Sequence, residues 1–272
     1  MRDFFCSMKK GAIGIFDSGI GGLTVARSIR KLLPKEDLIY FGDTAHLPYG
    51  DKSKTAIQRF GLRISDWLLE NDCKAIVIAC NTASAHAYRA IRKKLDPSIP
   101  VINVIDPMAE IVAKSGLKSV GVIGTKGTIG SRVYVRKIHS LKSEIDVVSK
   151  ATPLLAQMIE EGYFNNQISR TIIKSYLEGK AMEKVEGIVL GCTHYPLIKQ
   201  EIQELTEKEI KIFDSSEVVA LAVQKALKEG SLLNPSGGSQ KFYVSDYTHS
   251  FEQSAEIFFR EEIHLEKRDI WS

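Results

Sequence analysis

The 272-residue sequence predicts an α/β protein built as two similar parallel-sheet α/β domains related by internal duplication, with its working site in the cleft between them. Three observations predict this. Short unbroken runs rich in Val and Ile recur along the chain, as expected of strands buried on both faces. Helix-like stretches alternate with those runs, which favours parallel strands joined by right-handed crossovers. The residues just past the runs also correspond between the two halves at a nearly constant separation.

Taken in order, the first half offers strand-like runs at 12–16 (AIGIF), 38–41 (LIYF), 75–79 (AIVIA) and 101–105 (VINVI). The second half offers 120–124 (VGVIG), 145–149 (IDVVS), 187–191 (GIVLG) and 210–213 (IKIF). Asp17 and Thr125 stand 108 residues apart, as do Thr44 and Thr152 and also Asp106 and Asp214, while Cys80 and Cys192 stand 112 apart. Solenoid repeats run about 20–50 residues, so a period this long marks two domains of one design. Helical patterns fill the gaps, for example 22–33 and 55–70. The first domain is expected over 1–106 plus 214–272, and the second over 107–213, with the switch at Asp106-Pro107 because proline disfavours helix in the residue before it. The last stretch reads as a helix (217–228), a loop (234–238), a strand-like KFYVSD (241–246) and a final helix, grouped with the first domain as a packed-back segment or an appendage.

Composition narrows the class without choosing a function. Charged residues make up 26% and hydrophobic residues 44%, an ordinary soluble balance. A net charge of +4 is small for this length, and Ile91-Arg-Lys-Lys94 reads as a solvated helix face, so no nucleic-acid partner is expected. No apolar run reaches the roughly 18 residues of a membrane span, so no membrane partner is expected either. The start, Met1 to Lys10, lacks the apolar region of a signal peptide. The four cysteines are far apart, with neither a disulfide framework nor zinc spacing. A reducing cytoplasm is the expected location.

Two of those cysteines carry the chemistry. Cys80 and Cys192 each close a strand-like run and open a helix, and polar side chains follow at once: Asn81-Thr82 and Thr193-His194. A thiol of pKa ~8.5 is a poor base at neutral pH, but a helix N-terminus or a cation can lower it to roughly 3.5–7.5. Residues 81–90 read as a helix with capping residues at its start. After Cys192, Thr193 is expected to cap a helix whose first turn holds Pro196. One buried cysteine usually only fills space, but two in matched settings suggest acid/base groups acting on one carbon from opposite sides. That is the chemistry of inverting a carbon centre without a cofactor. Cys6 and Cys73 lack such settings.

The glycine-rich turns resemble phosphate loops only loosely. Asp17-Ser-Gly-Ile-Gly-Gly22 is not GxGxxG, and Gly124 to Ser131 lacks the Lys-Ser/Thr ending of a P-loop. Each could present backbone N–H groups to an anion. Asp17 suits an ammonium group rather than a phosphate, and Ser18, Thr125 and Thr128 could donate to a carboxylate. Two other classes compete with inversion. A thiol-dependent hydrolase or transferase would use Cys192 and His194 as nucleophile and base but leave Cys80 idle. A binding protein would close on an amino acid without exchanging its α-proton.

The motifs Phe16-Asp-Ser-Gly-Ile-Gly-Gly22, Pro48-Tyr-Gly50, Cys80-Asn-Thr82 and Gly191-Cys-Thr-His-Tyr-Pro196 resemble those of glutamate racemase, in the aspartate/glutamate racemase superfamily. The resemblance runs from about 11 to 247, four separated blocks in the right order. It implies an isomerase whose two α/β domains enclose glutamate between two cysteines, without pyridoxal phosphate or metal. It also implies D-glutamate as product, for bacterial peptidoglycan, cell-wall biogenesis and cell shape. By resemblance, Cys80 takes the α-proton from D-glutamate and Cys192 from L-glutamate, with Asp17 and His194 as their assistants and Glu160 near the histidine. Substrate contacts are expected from Asp17, Ser18, Pro48, Tyr49, Gly50, Asn81, Thr82, Thr125, Thr128, Thr193 and His194. Asp43 is expected to orient the Pro48-Tyr49-Gly50 loop. His46-Leu47 departs from the family, where arginine more often comes first. Thr193-His194 resembles the glutamate enzymes, since aspartate racemases more often carry Thr-Glu there. A homodimer is also expected.

Overall fold

The computed structural model describes residues 11–206 and 209–272. Six strands form the first sheet: β1 (Ala12–Asp17), β2 (Leu38–Gly42), β3 (Cys73–Ile78), β4 (Val101–Asn103), β9 (Gln240–Val244) and β10 (Leu265–Lys267). Their order is β10-β9-β2-β1-β3-β4, and every pairing is parallel. Four form the second: β5 (Ser119–Gly124), β6 (Asp146–Ala151), β7 (Gly187–Gly191) and β8 (Lys211–Phe213), in the order β6-β5-β7-β8, again parallel. The order β2-β1-β3-β4 is therefore repeated as β6-β5-β7-β8, the topological form of the sequence duplication.

The apolar runs form strands because both faces of each are covered. Side chains alternate across a strand, and Ile13, Ile15, Tyr40, Ala75 and Val77 enter one core while Ala12, Phe16, Ile39, Phe41, Ile76 and Ile78 enter another. On the second face lie α2 (Lys54–Glu70), α3 (Asn81–His86) and α4 (Tyr88–Lys94), which contribute Ile57, Phe60, Ala83 and Ile91. The first core continues through α1 (Leu23–Leu32) and α5 (Ile105–Ala113) into the second sheet, whose helices include α6 (Lys126–Gly130), α7 (Val133–Leu141), α8 (Pro153–Glu160), α9 (Gln167–Leu177) and α10 (Lys199–Leu205). The closing helices α11 (Ser215–Glu229) and α12 (His249–Phe259) pack on α1. Residues 240–267 thus complete the first sheet, and β10 is a strand that the sequence pattern did not reveal.

Three local expectations are corrected. The run 101–105 is strand only to Asn103, and Ile105 already begins α5. Asn103 Oδ1 accepts from the N–H groups of Ile105 and Asp106 at 2.9 Å, so the side chain turns the backbone into helix. Asp106-Pro107 is therefore the first turn of a helix, where proline is tolerated. The counterpart of Asp214, which caps α11 through Ser216 N, is Asn103 rather than Asp106. The helix read over 81–90 is two helices, broken at Ala87. Cys6 lies outside the described residues.

Candidate active site

The carboxyl ends of β1, β2 and β3 face those of β5 and β7 across one cavity of about 130 Å³. Clefts for drug-sized ligands measure roughly 300–1,000 Å³, so this one suits a small amino acid better than a nucleotide. Cys80 comes from the first half and Cys192 from the second, and both line it. So do Ser18, Pro48, Tyr49, Gly50, Asn81, Thr82, Thr125, Glu160, Thr193 and His194. Asp17 and Thr128 are not among the residues that line it. Asp17 is fully buried beneath the lining, and Thr128 stands behind Thr82 and Thr125.

Cys80 is itself the N-cap of α3. Its Sγ accepts from Ala83 N at 3.4 Å and lies 3.7 Å from Ser18 Oγ. Burial pushes this thiol well up, and the neighbouring Asp17 carboxylate raises it further; the Ala83 N–H and Ser18 only partly offset this. Asp17 accepts from Gly22 N at 2.8 Å, closing the turn that leads into α1. Burial raises the Asp17 carboxyl as well, against the His194 charge, the Gly22 and Ser18 amides and the Cys80 thiol, which pull it back. Asp17 and Cys80 together thus hold their protons more tightly than either group does in water.

The Cys192 side is built differently. Thr193 does not cap a helix. The chain enters a 3₁₀ turn, Tyr195–Ile198, with His194 at its N-cap, and Pro196 sits in its first turn. That turn folds His194 back, so Nδ1 lies 3.5 Å from Cys192 Sγ and Nε2 lies 2.7 Å from Glu160 Oε1. Burial alone would lower the His194 pKa. The charge and hydrogen bond of Cys192, then those of Glu160, outweigh it and hold the imidazole well above its ordinary value. Cys192 on one side and Glu160 on the other thus favour the imidazolium form of His194. Phe258 of α12 meets the ring edge-on at 5.1 Å. A Cβ on Gly21 would lie 2.4 Å from His194 Cε1, so only glycine lets the first turn approach so closely.

The two halves are joined around the cavity by buried hydrogen bonds. Thr82 Oγ1 lies 2.8 Å from Thr125 Oγ1 and 3.1 Å from Thr128 Oγ1. Thr24 Oγ1 donates to Thr193 O at 3.2 Å, and Tyr134 Oη donates to Asn81 Oδ1 at 2.7 Å. Asp43 holds the loop at the mouth as expected: Tyr49 Oη donates to it at 2.6 Å, Ser245 Oγ at 2.9 Å, and His46 Nδ1 lies at 2.9 Å. His46, at the departure from the family pattern, stacks on Phe60 at 4.2 Å.

Sequence reasoning missed Pro153, Ala156 and Gln157, which line the cavity beside Glu160. Their spacing from Glu160 is that of one helix face, so the match at Glu160 contained the signal. Thr24 and Tyr134 carried no such signal.

The Asp/Glu/Hydantoin racemase family matches this chain over residues 13–224. The chain belongs to that family. It is 46% identical over 245 residues to the glutamate racemase of Geobacter metallireducens, a match covering 88% of this chain and 89% of that protein. Its fold superposes on the crystal structure of glutamate racemase from Francisella tularensis subsp. tularensis in complex with D-glutamate. That match has a TM-score of 0.90 and 38% identity, and it covers 97% of this chain and 99% of that one. The glutamate racemase of Thermus thermophilus, in complex with β-chloro-D-alanine, matches with a TM-score of 0.86 and 37% identity over 96% of this chain and 97% of that one.

Proposed function

We propose that this chain interconverts L- and D-glutamate by two-base transfer of the α-proton. One observation carries the reading: each half of the molecule delivers one thiol, Cys80 or Cys192, to a single amino-acid-sized cavity. Removing the α-proton builds carbanion character beside the substrate carboxylate. The amide of Asn81 and the hydroxyls of Thr82, Thr125 and Thr193 are the donors that can stabilise that charge. Inversion needs one base and one acid at each passage. With L-glutamate, Cys192, in contact with His194, takes the proton as base, and Cys80, whose thiol proton is held by burial and Asp17, returns one to the opposite face. For D-glutamate the roles exchange, with Asp17 assisting Cys80.

Because the two side chains provide both transfers, the reading requires neither pyridoxal phosphate nor a metal. The product would supply D-glutamate for peptidoglycan in a bacterial cytoplasm. The domain division at 106/107 and 213/214 and a homodimeric assembly belong to the same proposal, the latter checked by sedimentation. Purified protein incubated with L-glutamate and followed by chiral chromatography tests the activity. The reading expects an approach to equal amounts of both enantiomers, unaffected by dialysis against chelator. No D-glutamate, or activity restored only by metal or by pyridoxal phosphate, would overturn it. The Cys192–His194 contact also suits a thiol nucleophile with a histidine base. A trapped acyl-enzyme on Cys192 would favour that second reading.

A further inference from the structure

Asn81 follows Cys80 directly and lines the cavity, yet its carboxamide is held from the other half of the molecule. Tyr134, on α7, donates its phenolic proton to Asn81 Oδ1 at 2.7 Å, and both side chains are buried. The other end of the amide, Nδ2, is buried without a hydrogen-bond partner among the described residues. A buried donor left unpaired is costly, so this one calls for an acceptor that the substrate can bring.

A carboxamide has two ends of similar size and opposite polarity. Were the Asn81 amide turned over, a carbonyl oxygen would take the place of Nδ2, repelling an anion. The Tyr134 hydroxyl can accept as well as donate and would then take Nδ2–H, so the Tyr134 bond and a donor for the anion coexist only in the orientation seen. Burial, first, and then the charges of Cys192 and Asp106 keep the Tyr134 phenol protonated, so it remains a donor through the neutral range. We infer that Tyr134 is a positioning residue for the reaction: by donating to Oδ1 it fixes Asn81 with its N–H group as the end left for the substrate's carboxylate. This inference rests on the racemase reading above. It has a geometric consequence, because Tyr134 and Asn81 come from opposite halves. The donor is therefore set by a contact between the halves rather than within either one.

The test compares wild type, Tyr134→Phe, Asn81→Ala and the double variant, with kcat and KM measured for L- and D-glutamate. Tyr134→Phe keeps the ring and removes the proton. Loss of one buried hydrogen bond predicts a KM raised about tenfold for both enantiomers, with kcat changed less than about threefold. In the Asn81→Ala background the same change should leave KM unaltered, since the residue it acts through is gone. A Tyr134→Phe KM within about twofold of wild type, or an equal rise in the Asn81→Ala background, would overturn the inference. Asn81→Asp is the second variant. It keeps the acceptor for Tyr134 but presents no N–H, so KM should rise more than about tenfold. Wild-type binding by Asn81→Asp would likewise overturn the inference. A wild-type protein that does not racemise glutamate would instead sink the racemase reading, and this inference with it.

Discussion

At the end of β3, Cys80 caps its own helix and sits beside a buried carboxylate, Asp17. At the end of β7, Cys192 opens onto a 3₁₀ turn that folds an imidazole, His194, against it with Glu160 behind. The strand order around the two is the same, and each follows the strand next to an edge of its parallel sheet. The local backbone and the charge of the neighbour differ. A carboxylate beside a thiol favours the protonated form, and an imidazolium favours the thiolate. Duplication thus supplied two equal positions, and the residues that followed gave them neighbours of opposite charge. On the proposed reading, each passage needs one acid and one base, and the two positions exchange those roles between the two directions.

The comparison breaks most severely if either thiol is removed. Cys80→Ala and Cys192→Ala should each lower racemisation by about 10²–10⁴-fold, the usual cost of a positioned proton-transfer group. Cys73→Ala should not. That thiol is buried in β3 and pushed up to about 12 by burial and then by Asp72, so it takes no part. Activity of either active-site variant near the wild-type level would remove the two-base account.

Changing the neighbours should have a smaller and one-sided effect. The equilibrium constant of racemisation is one, so kcat/KM must stay equal in the two directions whatever the mutation. Asymmetry must therefore appear in isotope effects. Asp17→Asn should raise the α-deuterium effect on kcat/KM more with D-glutamate, and His194→Asn more with L-glutamate. Kinetics with α-deuterated enantiomers decides this. Equal increases in both directions would remove the assignment of faces, and the opposite pattern would exchange the partners.

Glu160 should show the smallest effect, visible in stability against pH. Cys192 and then Glu160 hold the folded pKa of His194 above its unfolded value near 6.5. A raised pKa of this sign contributes stability that is fully present below the unfolded value and lost as pH rises through the folded one. The melting temperature of wild type should therefore exceed that of Glu160→Gln most clearly below about pH 6.5. The difference should close as His194 loses its proton. A difference independent of pH would show that Glu160 does not hold the imidazolium.

How much of this the sequence carried can be stated residue by residue. The strand ends were legible because AIGIF, AIVIA and GIVLG are continuous apolar runs with no competing helical period. Cys80, Cys192, His194 and Glu160 were legible through those ends and the family resemblance, and the structure brings all four to one cavity. The fourth strand was over-read because VINVI has strand composition, while Asn103 turns its own backbone into helix after only three residues. The cap after Cys192 was misread because Thr193 faces the seam between halves, where its carbonyl accepts from Thr24. The burial of Asp17 was not legible, because a charge in a glycine-rich turn is normally exposed, whereas here the turn folds over it. Tyr134 and Thr24 were invisible for a different reason. Their partners, Asn81 and Thr193, lie on the other half, and no local pattern encodes how two sheets dock.

The central claim is that two thiols work from opposite faces of one substrate, and proton bookkeeping in D₂O tests it most directly. L-Glutamate is incubated with enzyme, the reaction is stopped early, and both enantiomers are isolated and examined by mass spectrometry. The account predicts deuterium at the α-carbon of nearly every D-glutamate molecule formed, with recovered L-glutamate still protiated, because one thiol abstracts and the other donates. Deuterium entering L-glutamate as fast as D-glutamate appears, or D-glutamate that keeps the original proton, would contradict it.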